Sequence, residues 1–422
     1  MMGERLLRIG EFSAKFSLEV DTVRYYVNKG LLIPACKNDR YLFSQKDEED
    51  LQHLLDLKKM RFSLADIHRI LSLERLSHLG SPEELEDYIR IFQQQLAAME
   101  EEERALKEVQ KSLLTEIESA AEKRREETSR ISGVPLRAIS LFACPRCRKK
   151  LALSDAAILD EQIMSGSMSC VCGYRAEIRN GIIIGEQGEV SEYDGPDLER
   201  NCYRRMSPDL ITLLQRDYQW LLGRMEELPQ GNKVVLEDFV NDYCFCHANM
   251  EKLSPDHLYI ITDKFPEIVR MYKNLIDRKN LPHQVVYIAA ASHLLPLKEQ
   301  CVDLYMDFSS NEYAIFNEGY ALDPLKTHFH KDTCAMGSFW HFPTGCASLK
   351  ELKRQYPENW EHNFNIQHFL NYLREHWREL RACEQLGSIE DSGEAESFSY
   401  HQPGDILRLT SYFVTGLRRN EN

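Results

Sequence analysis

Two close cysteine pairs, Cys144-Pro-Arg-Cys147 and Cys170-Val-Cys172-Gly173, stand 22 residues apart in a chain of 422. Tetrahedral zinc takes four soft ligands, and two such knuckles can supply them. The first pair has the regular knuckle spacing; the second is one residue shorter. Cys144, Cys147, Cys170 and Cys172 are therefore assigned to Zn2+ in a structural role, since a closed four-thiolate site leaves no position open for chemistry. Two alternatives stay open: reduced cysteines in a ribbon without metal, and a metal-sensing site. A second soft cluster, Cys244-Phe-Cys246-His247, offers three ligands in four residues, although small buried hydrophobes account for its cysteines more simply. His328, His330 and His341 have no partner at ligand spacing, and Trp340 and Tyr313 read as core aromatics or pocket lining. A third constellation suits a different chemistry. In Asp21-Thr22-Val23-Arg24-Tyr25-Tyr26, Arg24 can make charge-assisted contacts to phosphate or guanine, and Thr22 and the tyrosines can hydrogen-bond phosphates.

Composition bounds what can carry these groups. A chain this long exceeds one ordinary core, so two to four domains are expected. It is globular in type, 43% hydrophobic and 28% charged, with 20 Gly and 15 Pro. No apolar run is long enough to span a bilayer, and residues 1–8 lack a signal core. A cytoplasmic protein without membrane contact is expected. There, 12 cysteines argue for metal sites or buried thiols rather than a disulfide framework. The net charge of −15 does not exclude DNA, because residues 1–80 hold 13 Lys+Arg against 12 Asp+Glu. Phosphate attraction depends on where the basic groups sit.

The elements that position the groups follow from periodicity. Ile9, Phe12 and Phe16 mark one helix face and Val23, Tyr26 and Val27 another, with a break at Ser17-Leu18. Gly30 suits the second helix's C-terminus. Two short helices with a tight connection form a helix-turn-helix, whose second helix enters the major groove. Lys37-Asn-Asp-Arg40 is a polar turn between extended runs, as in a wing. Ser44 and Ser63 cap two further helices. From Pro82 to about Glu127 no Gly or Pro intervenes, and Leu85, Phe92, Met99, Leu106, Leu113 and Ala120 recur every seven residues. Ile89, Leu96 and Ile117 stand four places after three of them. This predicts a coiled coil; an amphipathic helix packed on its own domain is the alternative. After about residue 196, strands at 233–240, 258–262, 284–290, 302–308 and 333–342 alternate with helices at 209–228 and 266–276, as in a parallel α/β sheet. Two late strands, 380–389 and 405–416, flank a polar hairpin. The fold class is multidomain: an all-α winged helix-turn-helix over 1–78, a coiled-coil dimerisation helix over 82–130, a small zinc ribbon over 139–187 and an α/β Rossmann-like domain over 196–422.

Ile9-Gly10-Glu11, Thr22-Val23-Arg24-Tyr25-Tyr26, Gly30-Leu31-Leu32-Ile33-Pro34 and Phe62-Ser63-Leu64-Ala65-Asp66-Ile67 resemble, in order, the MerR family of bacterial transcription regulators. The resemblance covers residues 7 to about 72. It departs at Val27, where the family has an acid, and in the wing, where Arg40-Tyr41-Leu42-Phe43 displaces the phosphate-contacting arginine. The resemblance implies a homodimer through an antiparallel coiled coil, bound to a palindromic promoter in double-stranded DNA. It acts on RNA polymerase indirectly, by distorting the operator's centre. DNA-contact candidates are Thr22, Arg24, Tyr25 and Tyr26, with Lys15 and the wing residues Lys37, Arg40 and Tyr41. An unknown small-molecule effector is expected downstream of the dimer helix.

The four-cysteine segment, with its flanking Leu141-Phe-Ala and Arg179-Asn-Gly-Ile-Ile, resembles zinc ribbons that precede some methyltransferase domains. The final domain resembles class I S-adenosylmethionine-dependent methyltransferases in element order: residues 233–237 look like the first strand ending in an acid, and 258–263 like the second. Glu237, Asp238 and Asp263 are the implied cofactor-binding candidates; no catalytic residue is assigned. Glu237 and Asp263 also read as plain strand-end acids facing solvent. The family's glycine-rich loop is replaced by Asp238-Phe-Val-Asn-Asp-Tyr243, and its adenine-contacting acid falls on Ala291. Glycines there let backbone approach the cofactor. The expectation is a fold that has lost methyl transfer and holds S-adenosylmethionine or another small ligand as an effector. The alternative is an active methyltransferase with an appended DNA-binding domain.

Overall fold

In the computed structural model the described residues are 6–125, 131–188, 195–200, 206–229, 231–308, 311, 313, 319–358, 360–390 and 402–418. They form two compact units, Met1–Arg125 and Glu126–Asn422. The first runs β1 (Leu7–Arg8), α1 (Ile9–Lys15), α2 (Val20–Asn28), β2 (Ala35–Lys37), β3 (Arg40–Phe43), α3 (Gln45–Lys59), α4 (Leu64–Ser72), a π-helical turn (Leu73–Ser77) and α5 (Pro82–Arg125). Ser44 and Asp47 cap α3 reciprocally, the Asp47 N–H donating to Ser44 Oγ (3.3 Å) and the Ser44 N–H to Asp47 (2.7 Å). Ser63 accepts from the Asp66 N–H at α4. Val23 and Tyr26 pack with Phe12, Leu51 and Ile67 in one core, where Phe12 stacks on Phe43 at 4.0 Å.

The all-α expectation for this unit is corrected: β1, β3 and β2 form a three-stranded antiparallel sheet in that order. Its hairpin turns at Asn38 and Asp39, with φ of 52° and 58°. Two left-handed residues match the twist of a two-residue hairpin, and Asn and Asp tolerate them. α5 is one helix of 44 residues, about 66 Å long at 1.5 Å per residue. Ile91 and Phe92 pack on the helix-turn-helix core. The heptad residues Leu85, Ile89, Leu96, Met99, Leu106, Leu113 and Ile117 are between 40% and 64% exposed.

The second unit holds a 12-stranded sheet. Its first strands are β4 (Val134–Pro135), β5 (Ala152–Leu159), β6 (Gln162–Ser169), β7 (Arg175–Arg179) and β8 (Ile182–Ile184). Next come α6 (Pro208–Met225), β9 (Val234–Glu237), α7 (Phe245–Asn249), β10 (Leu258–Asp263), α8 (Pro266–Arg278), β11 (Gln284–Ala289), β12 (Val302–Phe308) and β13 (Phe329–His341). The last are α9 (Ala347–Gln355), α10 (Ile366–His376), β14 (Trp377–Glu390) and β15 (Ile406–Leu417). β13, β12, β9, β10 and β11 lie parallel in that order, with β15 and then β14 antiparallel at the edge. This is the mixed, Rossmann-like methyltransferase topology expected, late strand pair included; residues 391–401 of the polar hairpin lie outside the described residues. Alternate strand residues point to opposite faces, so Val235, Tyr259 and Tyr287 enter one core and Leu236, Ile260 and Val286 the other.

The sheet continues past β11. β8 lies parallel to it, Ile182 opposite Tyr287 and Ile184 opposite Ala289, and β7, β6 and β4 follow antiparallel. The four-cysteine segment and the Rossmann strands therefore share one sheet, a continuity that composition and spacing do not report. The turn into β8 requires glycine: Gly181 has φ +75°, and a Cβ there would sit 2.3 Å from the Ser132 carbonyl oxygen. Among the described residues, no helix is long and apolar enough to cross a membrane.

Candidate functional site

α2 divides its side chains between core and surface. Val23 and Tyr26 point inward, Thr22 is half-buried, and Arg24 and Tyr25 are exposed. Arg24 meets Asp21 at 3.0 Å, an i,i+3 surface pair. Such pairs are worth little, so Arg24 can exchange Asp21 for phosphate. Lys29 lies over the Tyr25 ring at 5.7 Å. Tyr26 is the exception among the expected contacts. Its ring is only 2% exposed, and its hydroxyl accepts from Lys58 Nζ at 3.1 Å. Three-residue spacing from Val23 carries it into the core. Lys37, Arg40 and Tyr41 are exposed on the hairpin, Lys37 directly opposite Arg40. Lys15 pairs with Glu48 at 2.6 Å. It lines a groove with Phe16, Ser17, Gln52, Leu55, Lys58 and Lys59. The last two lysines were not legible in the sequence, because only the packing of α3 against α1 brings them there.

The four cysteines converge. Cys144 Sγ lies 3.4 Å from Cys172 Sγ, Cys147 Sγ lies 3.3 Å from Cys170 Sγ, and all four fall within 4.8 Å of one another. The Cys144 N–H donates to Lys149 O (2.8 Å) and the Gly173 N–H to Cys170 O (2.9 Å), closing the two knuckles. Gly173, at φ +94°, lets the shorter one turn. A Zn–S length near 2.3 Å implies S···S edges of about 3.8 Å in a tetrahedron, so the cluster fits a tetrahedral metal. The backbone N–H of Tyr174, then Cys144, pulls the Cys172 thiol down to about 7. Among the described residues no other group of three or more His, Cys, Asp or Glu is close enough to hold a metal. Cys244 and Cys246 are buried, and desolvation, then Glu237, pushes both thiols well up. Desolvation also holds His247 down, to about 4.

At the carboxyl ends of the parallel strands, Glu237 is 1% exposed rather than facing solvent. Its carboxylate accepts the N–H groups of Phe245 (2.5 Å) and Cys246 (2.8 Å) and lies 3.5 Å from the Cys244 thiol. It thus occupies the N-terminus of α7, where backbone N–H groups lack partners. Phe239 adopts φ 61° without being glycine, and its ring meets Tyr313 edge-on at 5.6 Å. Arg200 clasps the same loop, donating to the carbonyls of Asn241 (2.7 Å) and Asp242 (2.6 Å) and to the Tyr272 hydroxyl (2.8 Å). Asp238 accepts from the Thr262 hydroxyl, and Asp263 from the Phe265 N–H at 2.9 Å. Both are buried, and neither forms an ion pair with a described residue. Burial, opposed by the Phe265 N–H and aided by Asp238 and Asp242, lifts Asp263 to about 8. Burial and Asp197, against Arg200, lift Asp242 to about 6. The Ala291 N–H donates to the Glu186 carbonyl (2.8 Å) in the segment that follows β8. Asp242, Arg200 and Glu186 carried no sequence signal, since each acts through contacts made by folding.

Residues 7–74 match the family described as MerR HTH family regulatory protein. The HTH-type transcriptional regulator CueR of Bacillus subtilis (strain 168) is 43% identical over 70 residues, 15% of this chain and 46% of that protein. The chain thus spans about half the length of the curated relative it matches. Two solved structures are also similar. HiNmlR, a MerR family regulator lacking the sensor domain and bound to promoter DNA, is 22% identical, covering 25% of this chain and 80% of that one, with TM-score 0.21. A SAM-dependent methyltransferase from Methanosarcina mazei is 9% identical, covering 46% of this chain and 98% of that one, with TM-score 0.34. The chain carries a MerR-type N-terminal segment, and its second unit has a mixed, Rossmann-like sheet.

The raised Asp263 carboxyl gives a test of the crevice. A carboxyl held above its ordinary 3.8 favours the fold while protonated. Its contribution is complete below about pH 4 and is lost as pH rises toward 8. Asp263→Asn should therefore unfold near the wild-type temperature below about pH 4 and progressively higher toward pH 8, by about 3 °C for each ~1 kcal/mol in a domain of this size. Equal melting temperatures at pH 8 would contradict the assignment.

Proposed function

We propose that this chain is a MerR-type DNA-binding transcription regulator that works as a homodimer through α5, with its methyltransferase-like domain serving as an effector-binding sensor. The observation that carries the reading is the division of α2. Val23 and Tyr26 anchor the helix in the core, and this leaves Arg24 and Tyr25 on the surface. Thr22, Lys15 and the wing residues Lys37, Arg40 and Tyr41 supply the supporting contacts. The exposed heptad residues of α5 support the dimer, because a row of half-exposed leucines and isoleucines is stabilised by covering it with a second helix.

For the second unit, the conformation of the glycine-free loop favours a sensor. Glu237 holds the start of α7, Phe239 and Tyr313 stand where backbone would have to approach the cofactor, and Arg200 clasps the loop. The sheet order and Asp263 at the end of β10 favour the competing reading, an active methyltransferase with an appended DNA-binding domain. The four thiols would hold a structural zinc, which ties the two knuckles together.

Arg24→Ala should weaken retardation of the protein's own promoter fragment at least tenfold, about 1.4 kcal/mol; undiminished retardation would sink the DNA site. Calorimetric titration with S-adenosylmethionine and S-adenosylhomocysteine should give no saturable heat, and tight binding of either would restore the enzyme. Elemental analysis of freshly purified protein, kept from chelators, should find about one zinc per chain, as four thiolates on one tetrahedral ion require. Its absence would remove the metal.

A further inference from the structure

The link between α4 and the dimer helix is a built joint. Leu73–Ser77 forms a π-helical turn, a rare conformation that often marks functional positions. His78 and Leu79 then take left-handed φ values of 53° and 52°. Past Gly80, Ser81 and Glu84 cap α5 reciprocally, each through the other's N–H at 3.2 Å. Two neighbouring side chains leave the π turn in different directions. Glu74 accepts from the Tyr88 hydroxyl of α5 (3.0 Å) and stands 3.2 Å from His53 Nε2 of α3. Arg75 reaches the far end of α2. Its Nη1 donates to the Gly30 carbonyl (3.2 Å), and its Nη2 donates to the Leu31 carbonyl (2.8 Å) and to Asp50 (2.9 Å). The pair with Asp50 is largely buried, at 17% and 22% side-chain exposure.

These bonds have a mechanical meaning. The carbonyls of Gly30 and Leu31 lie just past Lys29, the C-cap of α2, and Arg75 satisfies both with one planar fork. Lysine cannot reproduce that fork. The cation is fixed in turn by Asp50 of α3. The orientation of α2 is thereby coupled to the turn from which α5 departs.

We propose that Arg75 is a positioning residue that sets the angle of the recognition helix relative to the dimer helix, and so the half-site spacing the protein accepts. The proposal rests on the DNA-binding dimer reading. Spacing is the informative readout because a loss of stability weakens binding to every operator alike, whereas a loosened angle changes the ratio between operators.

The test uses the full chain and the palindrome it selects from random duplexes, with versions whose centre is one base pair longer or shorter. Wild type should prefer its selected spacing by roughly tenfold or more, as the energy of deforming a mismatched centre implies. In Arg75→Ala that ratio should fall to within about twofold, with Arg75→Lys intermediate. Equal loss at all three spacings in Arg75→Ala, with the wild-type ratio kept, would overturn the proposal, as would a wild type indifferent to spacing. Should the alanine variant fail to fold, Arg75→Lys decides, and a wild-type ratio there counts against the role. Failure of wild type to select any duplex would instead bring down the DNA-binding reading, and Arg24→Ala, which should weaken all spacings alike, separates the two.

Discussion

The parallel pairing of β8 with β11 is the contact on which the second unit depends. Parallel strands are stable when covered, and an open edge strand invites association with other chains. Three residues, Ile182 to Ile184, close that edge and bring the whole cysteine-bearing hairpin system with them. The junction is held from behind by Asp277 of α8. Its carboxylate accepts the N–H (3.1 Å) and hydroxyl (2.5 Å) of Ser132 and pairs with Lys273 at 2.5 Å, the two side chains 7% and 3% exposed. A buried ion pair is sustained only when its remaining hydrogen-bonding positions are filled, and Ser132 fills them. The thiol knuckles are fixed to the same body by Arg146 on Glu186 (2.7 Å), Arg148 on Glu299 (3.5 Å) and the Lys298 N–H on the Leu141 carbonyl (2.7 Å).

That arrangement reaches the carboxyl end of β11. Glu186 answers Arg146 with its side chain and the Ala291 N–H with its carbonyl. The thiol segment and the loop after β11 are therefore one hydrogen-bonded assembly. On the opposite side, Glu237 has turned inward to α7. Strand-end acids commonly face solvent or a ligand; here the short helix starting at Phe245 offers N–H groups that a carboxylate satisfies better than water does. The loop from Asp238 to Tyr243, which contains no glycine, thus joins that turned-in acid to α7.

How much of this was legible in the sequence follows the distance over which each feature is decided. The order of motifs around Arg24, the heptad spacing of α5, free of Gly and Pro, and the strand sequence from β9 to β15 depend on local periodicity, and all appear as helices and strands near the expected positions. The same period put Tyr26 on one face with Val23, where it packs, although the motif also offered its hydroxyl to phosphate. The three-stranded sheet of the first unit was only half legible: Asn38-Asp39 announced the hairpin, but β1 becomes a strand only by pairing with β3. The β8–β11 pairing, the Arg200 clasp and the Arg75 fork join residues between about 40 and more than 100 positions apart, and no spacing rule encodes them. The four cysteines are the intermediate case. Spacing identified them, and the folded hairpins resolved the short second knuckle through Gly173.

The buried acids of the crevice supply the last step. Asp238 and Asp263 sit in the protein without a cation among the described residues, and desolvation is the largest influence on both carboxyls, pushing each up. Such groups do not stabilise a fold at neutral pH: each either carries a proton it would lose in water or keeps a charge at a desolvation cost of several kcal/mol. A core built for stability alone would fill these positions with apolar side chains, as Leu236 and Ile260 do lower on the same strands. Acids retained at the carboxyl ends of parallel strands, where open α/β sheets take their ligands, fit the proposed ligand crevice better than a core built for stability alone. The inward turn of Glu237 and the ring of Phe239 are the features on which the proposed sensor reading, rather than methyl transfer, rests.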